Sequence, residues 1–255
     1  MKIQLVGSAV GRIASAQQFA MTYVIDGVVA IDAGCLGLLW PLDQQRRVEH
    51  VFLSHSHMDH VASLPLYVEN VYQYGPACPT IYANPETLSS LQSDLFNDRV
   101  WPDMIRLATE ETPFMNFVPL EAERSVSVGP LTITPVPLDH IVPTLGFLVD
   151  DGTTAVAFVS DTAPTQRIWE LANATPHLKA VFLEACFPNR MEWLAEKSAH
   201  LTTRLFADEY RKLNQPLPVI VVHIKAAFRE EILNELAELN LPQMRIGSPE
   251  GVYEF

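Results

Sequence analysis

The run Leu53-Ser54-His55-Ser56-His57-Met58-Asp59-His60 closes an apolar stretch, Val51-Phe52-Leu53, with three histidines and an aspartate inside six positions. Such groups are costly to bury without partners. In a continuing strand, side chains alternate between faces, so His55, His57 and Asp59 would crowd one side with no packing benefit. A turn at Ser54 instead lets both imidazoles, Asp59 and His60 converge beyond the strand end. Nitrogen with carboxylate oxygen is a donor set suited to zinc-like ions. A surface loop with chance histidines is the competing reading of a lone H-x-H, but the full H-x-H-x-D-H pattern after an apolar strand favours a metal.

Four groups do not complete two metal sites, so further donors must come from elsewhere. Of the eight histidines, His140 follows "TPVPLD" and His223 follows "VIVV", while Asp161 ends "AVAFVS". All three are strand-end candidates, where loops of an α/β scaffold carry sites. His200 precedes the helical stretch "LTTRLFADEY", with Thr202 or Thr203 placed to cap it. Asp32 ends another strand just before Ala33-Gly34, where it could orient a ligand histidine or cap the turn. His50 and His177 match no pattern.

The elements that must position these groups are legible in part. Tyr23–Ile25 and Val28–Ile31 flank Asp26-Gly27, a two-residue hairpin signal. A second hairpin is expected around Val128-Gly129-Pro130. A third should join Leu145–Val149 to Ala155–Val159 across Asp150-Asp151-Gly152. Helical periodicity falls at roughly Ser63–Gln73, Pro85–Leu95, Thr165–Ala172, Thr202–Leu213 and Phe228–Leu239, with a strand at Val219–Val222. Hairpins followed by strand–helix alternation imply an α/β fold of two sheets face to face with helices outside. The Pro-rich region Trp101 to Pro119 reads as a surface loop or a lid. Without repeats or linkers, residues 1–255 are expected to form one domain.

"SHSHMDH", "LDHIVPTLGF", "FVSDT", "EACF", "AHLTTRLFADE" and "VVHIKAAF", in this order, resemble the phosphodiesterase branch of the metallo-β-lactamase superfamily. The resemblance runs from Asp32 past His223. Within that branch, "SHMDHVASLPLYVENV" and "LFNDRVWPD" are most similar to class II 3′,5′-cyclic-nucleotide phosphodiesterases, with Met58 where those enzymes usually have leucine. The fold this implies is a four-layer αββα sandwich. The resemblance also implies two divalent metal ions, zinc or else manganese or iron. One would be held by His55, His57 and His140, the other by Asp59, His60 and His223, with Asp161 bridging. His200 is similar to a substrate-facing acid partnered by Glu184, and Asp59, His200 and Glu184 form the expected catalytic set. The implied reaction is hydrolysis of cyclic AMP or cyclic GMP to the 5′-nucleotide by a hydroxide that the metals generate from a bridging water. A tRNA 3′-end endonuclease resembles the chain at nearly the same positions. A non-catalytic metal-binding module is the alternative outside the enzymes.

Composition bears on that choice. Lys plus Arg number 17 against 30 Asp plus Glu, a formal charge of −13. A broad polyanion surface needs clustered cations, so extended nucleic acid is disfavoured, whereas a small singly charged cyclic diester is compatible. Only five lysines occur, and no Gly- and basic-rich arm is present. Cys35, Cys78 and Cys186 are odd in number and widely spaced, which argues against a disulfide framework or a cysteine zinc site. No apolar run could span a membrane, and the first residues lack a signal-peptide pattern, so a cytoplasmic protein without a membrane partner is expected. A homodimer is compatible with the resemblance.

Overall fold

The structure, a computed structural model, describes residues 1–7 and 19–255. Its strands are β1 (Lys2–Leu5), β2 (Tyr23–Ile25), β3 (Val29–Ile31), β4 (His50–Phe52), β5 (Thr80–Ala83), β6 (Asn116–Pro119), β7 (Val126–Val128), β8 (Leu131–Leu138), β9 (Thr144–Asp150), β10 (Ala155–Phe158), β11 (Leu178–Glu184), β12 (Val219–Val222), β13 (Met244–Ile246) and β14 (Val252–Glu254). They form two seven-stranded mixed sheets, ordered β14-β1-β2-β3-β4-β5-β6 and β13-β12-β11-β10-β9-β8-β7. From β3 to β6 and from β10 to β13 the neighbours run parallel, while the remaining pairs are antiparallel.

Alternation along each strand builds the layers. Ile3, Leu5, Ile31 and Phe52 from the first sheet meet Phe147, Val149, Phe158, Phe182 and Ile220 from the second in one buried cluster. The alternate residues Ala30, Val51 and Ile81 face helices α2 (Met58–Val61), α3 (Leu64–Val71), α4 (Pro85–Ser90) and α5 (Met104–Leu107), while α1 (Leu42–Arg47) packs on α3. Those of the second sheet, among them Ala157, Val181, Leu183 and Val221, face α6 (Arg167–Ala174), α8 (Thr203–Tyr210) and α9 (Arg229–Glu238). A further helix, α7 (Glu192–Ser198), packs through Ala195 beside Phe187. This is the αββα sandwich. Period-2 patterning with both faces covered is what makes the parallel strands read as continuous apolar runs.

Local expectations hold with corrections. The first hairpin exists, but Ile25 pairs with Val29, so Val28 joins Asp26 and Gly27 in a three-residue loop; Asp26 and Gly27 both have positive φ. The helix expected over Pro85–Leu95 ends as α4 at Ser90 and continues as a π-type turn, Leu91–Leu95. Part of the region read as a loop or lid is β6, the edge strand of the first sheet. Pro119 is tolerated there because one side of an edge strand needs no N–H donor. Pro135 and Pro137 sit in β8 beyond the stretch that pairs with β7, so their missing N–H groups leave no ladder bond unmade.

Candidate metal centre

The carboxyl ends of β3, β4, β8, β10, β11 and β12 all open on one end of the sandwich, and every residue singled out as a site candidate lies there. β4 pairs in parallel with β3 and runs out through Leu53 into Ser54, where the chain turns before α2. Helix α2 is laid against the loop after β3 by a backbone bond from Ala33 N to His60 O and against the segment before β2 by one from Met21 N to Asp59 O, both 2.7 Å. Gly34 permits this approach, because a Cβ there would lie 2.0 Å from the Asp59 carbonyl oxygen. The second sheet supplies His140 two residues past β8, Asp161 three past β10, Glu184 as the last residue of β11, and His223 directly after β12. Asp32 and His223 both hold left-handed backbone, with φ of 59° and 53°. Non-glycine residues there are sparsely populated and cluster at functional sites.

The donors fall into two groups, each with its ligating atoms within 4.8 Å of one another: His55, His57, His140 and Asp161, and Asp59, His60 and His223. Asp161 is buried and lies between them. Its Oδ2 is 3.7 Å from His55 Nε2 and 3.4 Å from His60 Nε2, and its Oδ1 is 3.6 Å from His223 Nε2. His55 Nε2 and His140 Nε2 lie 3.1 and 3.3 Å from His57 Nδ1, so three ring nitrogens face one another.

Outer contacts fix which nitrogen points inward. Asp32 accepts from Ser54 N, Ser54 Oγ and His60 Nδ1 at 2.8, 2.9 and 2.7 Å, so it orients His60. His60 Nε2, buried, is then left with no hydrogen-bond partner. Ser54 Oγ lies 2.9 Å from His55 Nδ1, and His140 Nδ1 donates to Ala199 O at 2.8 Å. Imidazoles tied at one nitrogen, with the other turned toward carboxylates and like imidazoles, are the donor arrangement of a metal site with its supporting partners. An orphaned buried nitrogen in that position fits the same conclusion. The two clusters form a dinuclear divalent-metal site.

His200 belongs to neither cluster. Its Nδ1 donates to Glu184 Oε1 at 2.8 Å, and its Nε2 lies 3.8 Å from Asp161 Oδ2. Glu184 is buried and also accepts from Thr162 N and Leu201 N, at 2.9 and 3.1 Å, so it is no surface residue. Glu184, Cys186, His200 and His223 also fall within 4.8 Å of one another, but Glu184 is committed to these three donors and the His200 pair dominates that corner. Thr202 caps α8 by accepting from Leu205 N, and Thr203 turns instead to the Glu235 carboxylate.

Sequence reasoning missed three contributors, the first being the Ser54 hydroxyl, which was read only as a turn position and meets His55 Nδ1. Ala199, in left-handed backbone at the end of α7, presents the carbonyl that orients His140; nothing in an alanine signals this. Lys225, two residues past His223, places Nζ 3.3 Å from Asp59 Oδ2. The lysine in "HIK" was visible, but its reach was not. Cys35 and Cys186 are buried, and among the described residues neither forms a disulfide.

Residues 23–224 match the family described as "Beta-lactamase superfamily domain". The chain belongs to the metallo-β-lactamase superfamily. Its relatives include a probable 3′,5′-cyclic-nucleotide phosphodiesterase of Yersinia pestis, 27% identical over 237 residues, covering 82% of this chain and 65% of that protein. 3′,5′-Cyclic-nucleotide phosphodiesterase 1 of Saccharomyces cerevisiae is 25% identical over 238 residues, covering 76% and 63%. The chain thus spans just under two thirds of the length of these curated relatives. Among solved structures, unliganded yeast PDE1 superposes with a TM-score of 0.77 at 20% identity over 98% of both chains. The short form of human tRNase Z gives 0.68 at 15% over 100% and 99%. At these identities the superpositions speak for the shared fold. Among the described residues, no helix is long and apolar enough to cross a membrane.

Proposed function

We propose that this chain is a metal-dependent phosphodiester hydrolase that opens 3′,5′-cyclic nucleotides to 5′-nucleotides. The observation that carries the reading is the placement of the His200–Glu184 pair beside two donor clusters that share Asp161. The relatives named as cyclic-nucleotide phosphodiesterases and the charge of −13 support the substrate class.

In this reading His55, His57 and His140 hold one ion, Asp59, His60 and His223 hold the other, and Asp161 serves both. When bound, the ions supply Lewis-acid activation of water and neutralise charge on the phosphoryl oxygens. The chain's own residues do the rest. Asp32, Ser54 and Ala199 hold the His60, His55 and His140 rings in one tautomer, so these three need not reorganise during turnover. Burial works to lower the pKa of His200, but the Glu184 carboxylate, with Asp161 beyond it, raises it above the ordinary histidine value. That carboxylate favours the charged form of His200, with Nδ1–H toward Glu184 and Nε2 turned to the clusters, where it is placed to give a proton to the departing 3′ oxygen.

Product analysis of the metal-loaded protein with cyclic AMP, cyclic GMP, a cyclic dinucleotide and a pre-tRNA tests the reading. A 5′-nucleotide from the cyclic mononucleotides, far faster than any RNA cut, is the expected result. Efficient pre-tRNA cleavage with negligible cyclic-nucleotide turnover would replace it with the endonuclease reading. Binding of metal with no diester turned over would leave a metal-binding module.

A further inference from the structure

The acidic and imidazole groups of the two clusters and their partners are assigned to holding metal, orienting a ring or, in His200, donating a proton. Lys225 is not. The turn that carries it is pinned, with Lys225 N donating to Cys186 O at 3.4 Å and Phe228 N donating to Lys225 O at 3.0 Å. Its side chain leaves this fixed base, 40% exposed, and ends 3.3 Å from Asp59 Oδ2. Among the described residues, it is the Lys or Arg whose ion pair reaches a member of the two clusters. Asp59 does not depend on it, since His223 Nε2 already lies 3.1 Å from the same oxygen. A half-exposed pair of this kind contributes little to stability.

We propose that Lys225 anchors a non-bridging oxygen of the substrate's phosphoryl group, resting on Asp59 when no substrate is present. This inference rests on the phosphodiesterase reading. A flexible ammonium on a rigid turn suits the task, because it can leave one carboxylate oxygen for a phosphoryl oxygen without moving the backbone. The anion it would meet is present in substrate, transition state and product alike, so the contact acts as uniform binding: it lowers KM and leaves kcat nearly unchanged. It also gives a protein of charge −13 a local positive point beside the clusters that its anionic substrate must reach.

The test compares wild type, Lys225→Met and Lys225→Arg as metal-loaded proteins. Four quantities are read: KM, kcat, ions per chain, and affinity for a 5′-mononucleotide by calorimetry. Loss of one charge-assisted hydrogen bond should raise KM and weaken 5′-mononucleotide binding by roughly 10–100-fold in Lys225→Met, with kcat within a few fold and ion content unchanged. Lys225→Arg should recover part of the affinity. Unchanged KM and product affinity in Lys225→Met would overturn the anchor. Ion content falling together with affinity would overturn it too, by showing that Lys225 serves Asp59. The two readings fail separately. A wild type that turns over cyclic nucleotides with an indistinguishable Lys225→Met sinks the anchor alone. A wild type that cleaves no phosphodiester, yet binds 5′-mononucleotide through Lys225, sinks the hydrolase reading alone.

Discussion

The two sheets furnish the site in opposite ways. The first places four donors in one six-residue run after β4, two for each cluster, on a turn too short to rearrange independently. The second places one donor at each of three strand ends: His140 for one cluster, His223 for the other and Asp161 between them. Neither sheet holds a complete set, so the centre exists only when the inter-sheet core of Phe52, Phe147, Phe158 and Phe182 brings the two edges together. Each sheet also contributes one buried carboxylate that accepts three hydrogen bonds, one from a histidine Nδ1. Asp32 in the first orients His60, and Glu184 in the second orients His200. The same device thus fixes a ring of one cluster on one side and the acid candidate on the other, and what differs is where the free nitrogen points.

The largest effect should come from the group on which the comparison turns. Asp161→Ala removes the one carboxylate facing both clusters, so ion content should fall from two per chain to well below one. Activity should drop by roughly 10⁴-fold or more, on the scale of losing a member of a catalytic unit. His57→Ala takes one donor from one cluster and should leave the other ion in place. Elemental analysis of the two variants is the measurement, and equal ion loss in both would break the idea that Asp161 joins two otherwise separate sets. Chelation should abolish activity reversibly while the circular dichroism of the fold persists, because a core of this size does not need metal to form.

The next effect separates the acid candidate from the ligands. His200→Ala should retain both ions and near-normal KM but lose about 10²–10⁴-fold in kcat on a cyclic nucleotide, the range for a general acid–base group. An activated aryl phosphodiester, whose departing oxygen needs little protonation, should lose much less. Equal losses on the two substrates would move His200 from proton transfer to stabilisation of phosphoryl charge.

The difference between the sheets also governs what could be read from the chain alone. The run from His55 to His60 is contiguous, so the residue types and their spacing announce the chemistry without any fold. His140, Asp161 and His223 carry no local motif; they become candidates through strand ends and become a set through the resemblance. Their convergence is a property of topology. Supporting partners were legible only where the side chain itself is chemical, as for Asp32 and Glu184. Ala199 contributes a backbone carbonyl and Lys225 a long reach, and neither leaves a signature in residue type. The hairpin shift at Val28 and the edge strand inside the Trp101 to Pro119 region show the same limit at the level of the fold, where pairing partners decide what propensity leaves open.

The smallest effect sharpens the comparison of the paired carboxylates. Asp32 sits at a φ of 59°, a conformation that asparagine tolerates nearly as well as aspartate, so Asp32→Asn changes chemistry with little backbone cost. Its oxygens receive three donors, from Ser54 N, Ser54 Oγ and His60 Nδ1. An asparagine amide offers one acceptor end and one donor end, so at least one of these contacts must become donor against donor unless a ring or hydroxyl proton moves. If the amide nitrogen faces His60, the ring relieves the conflict by carrying its proton on Nε2, the atom that faces Asp161. That proton must leave before an ion can bind, so affinity at the cluster of Asp59, His60 and His223 should weaken by about 10–100-fold. The cluster of His55, His57 and His140 should keep its ion, because none of its rings is tied to Asp32 and two are held by Ser54 Oγ and Ala199 O. Competitive titration with a metal indicator resolves the two affinities, and added divalent ion should restore kcat to near wild type. Weakening at both clusters alike would mean that Asp32 acts by holding the Ser54 turn rather than the His60 ring.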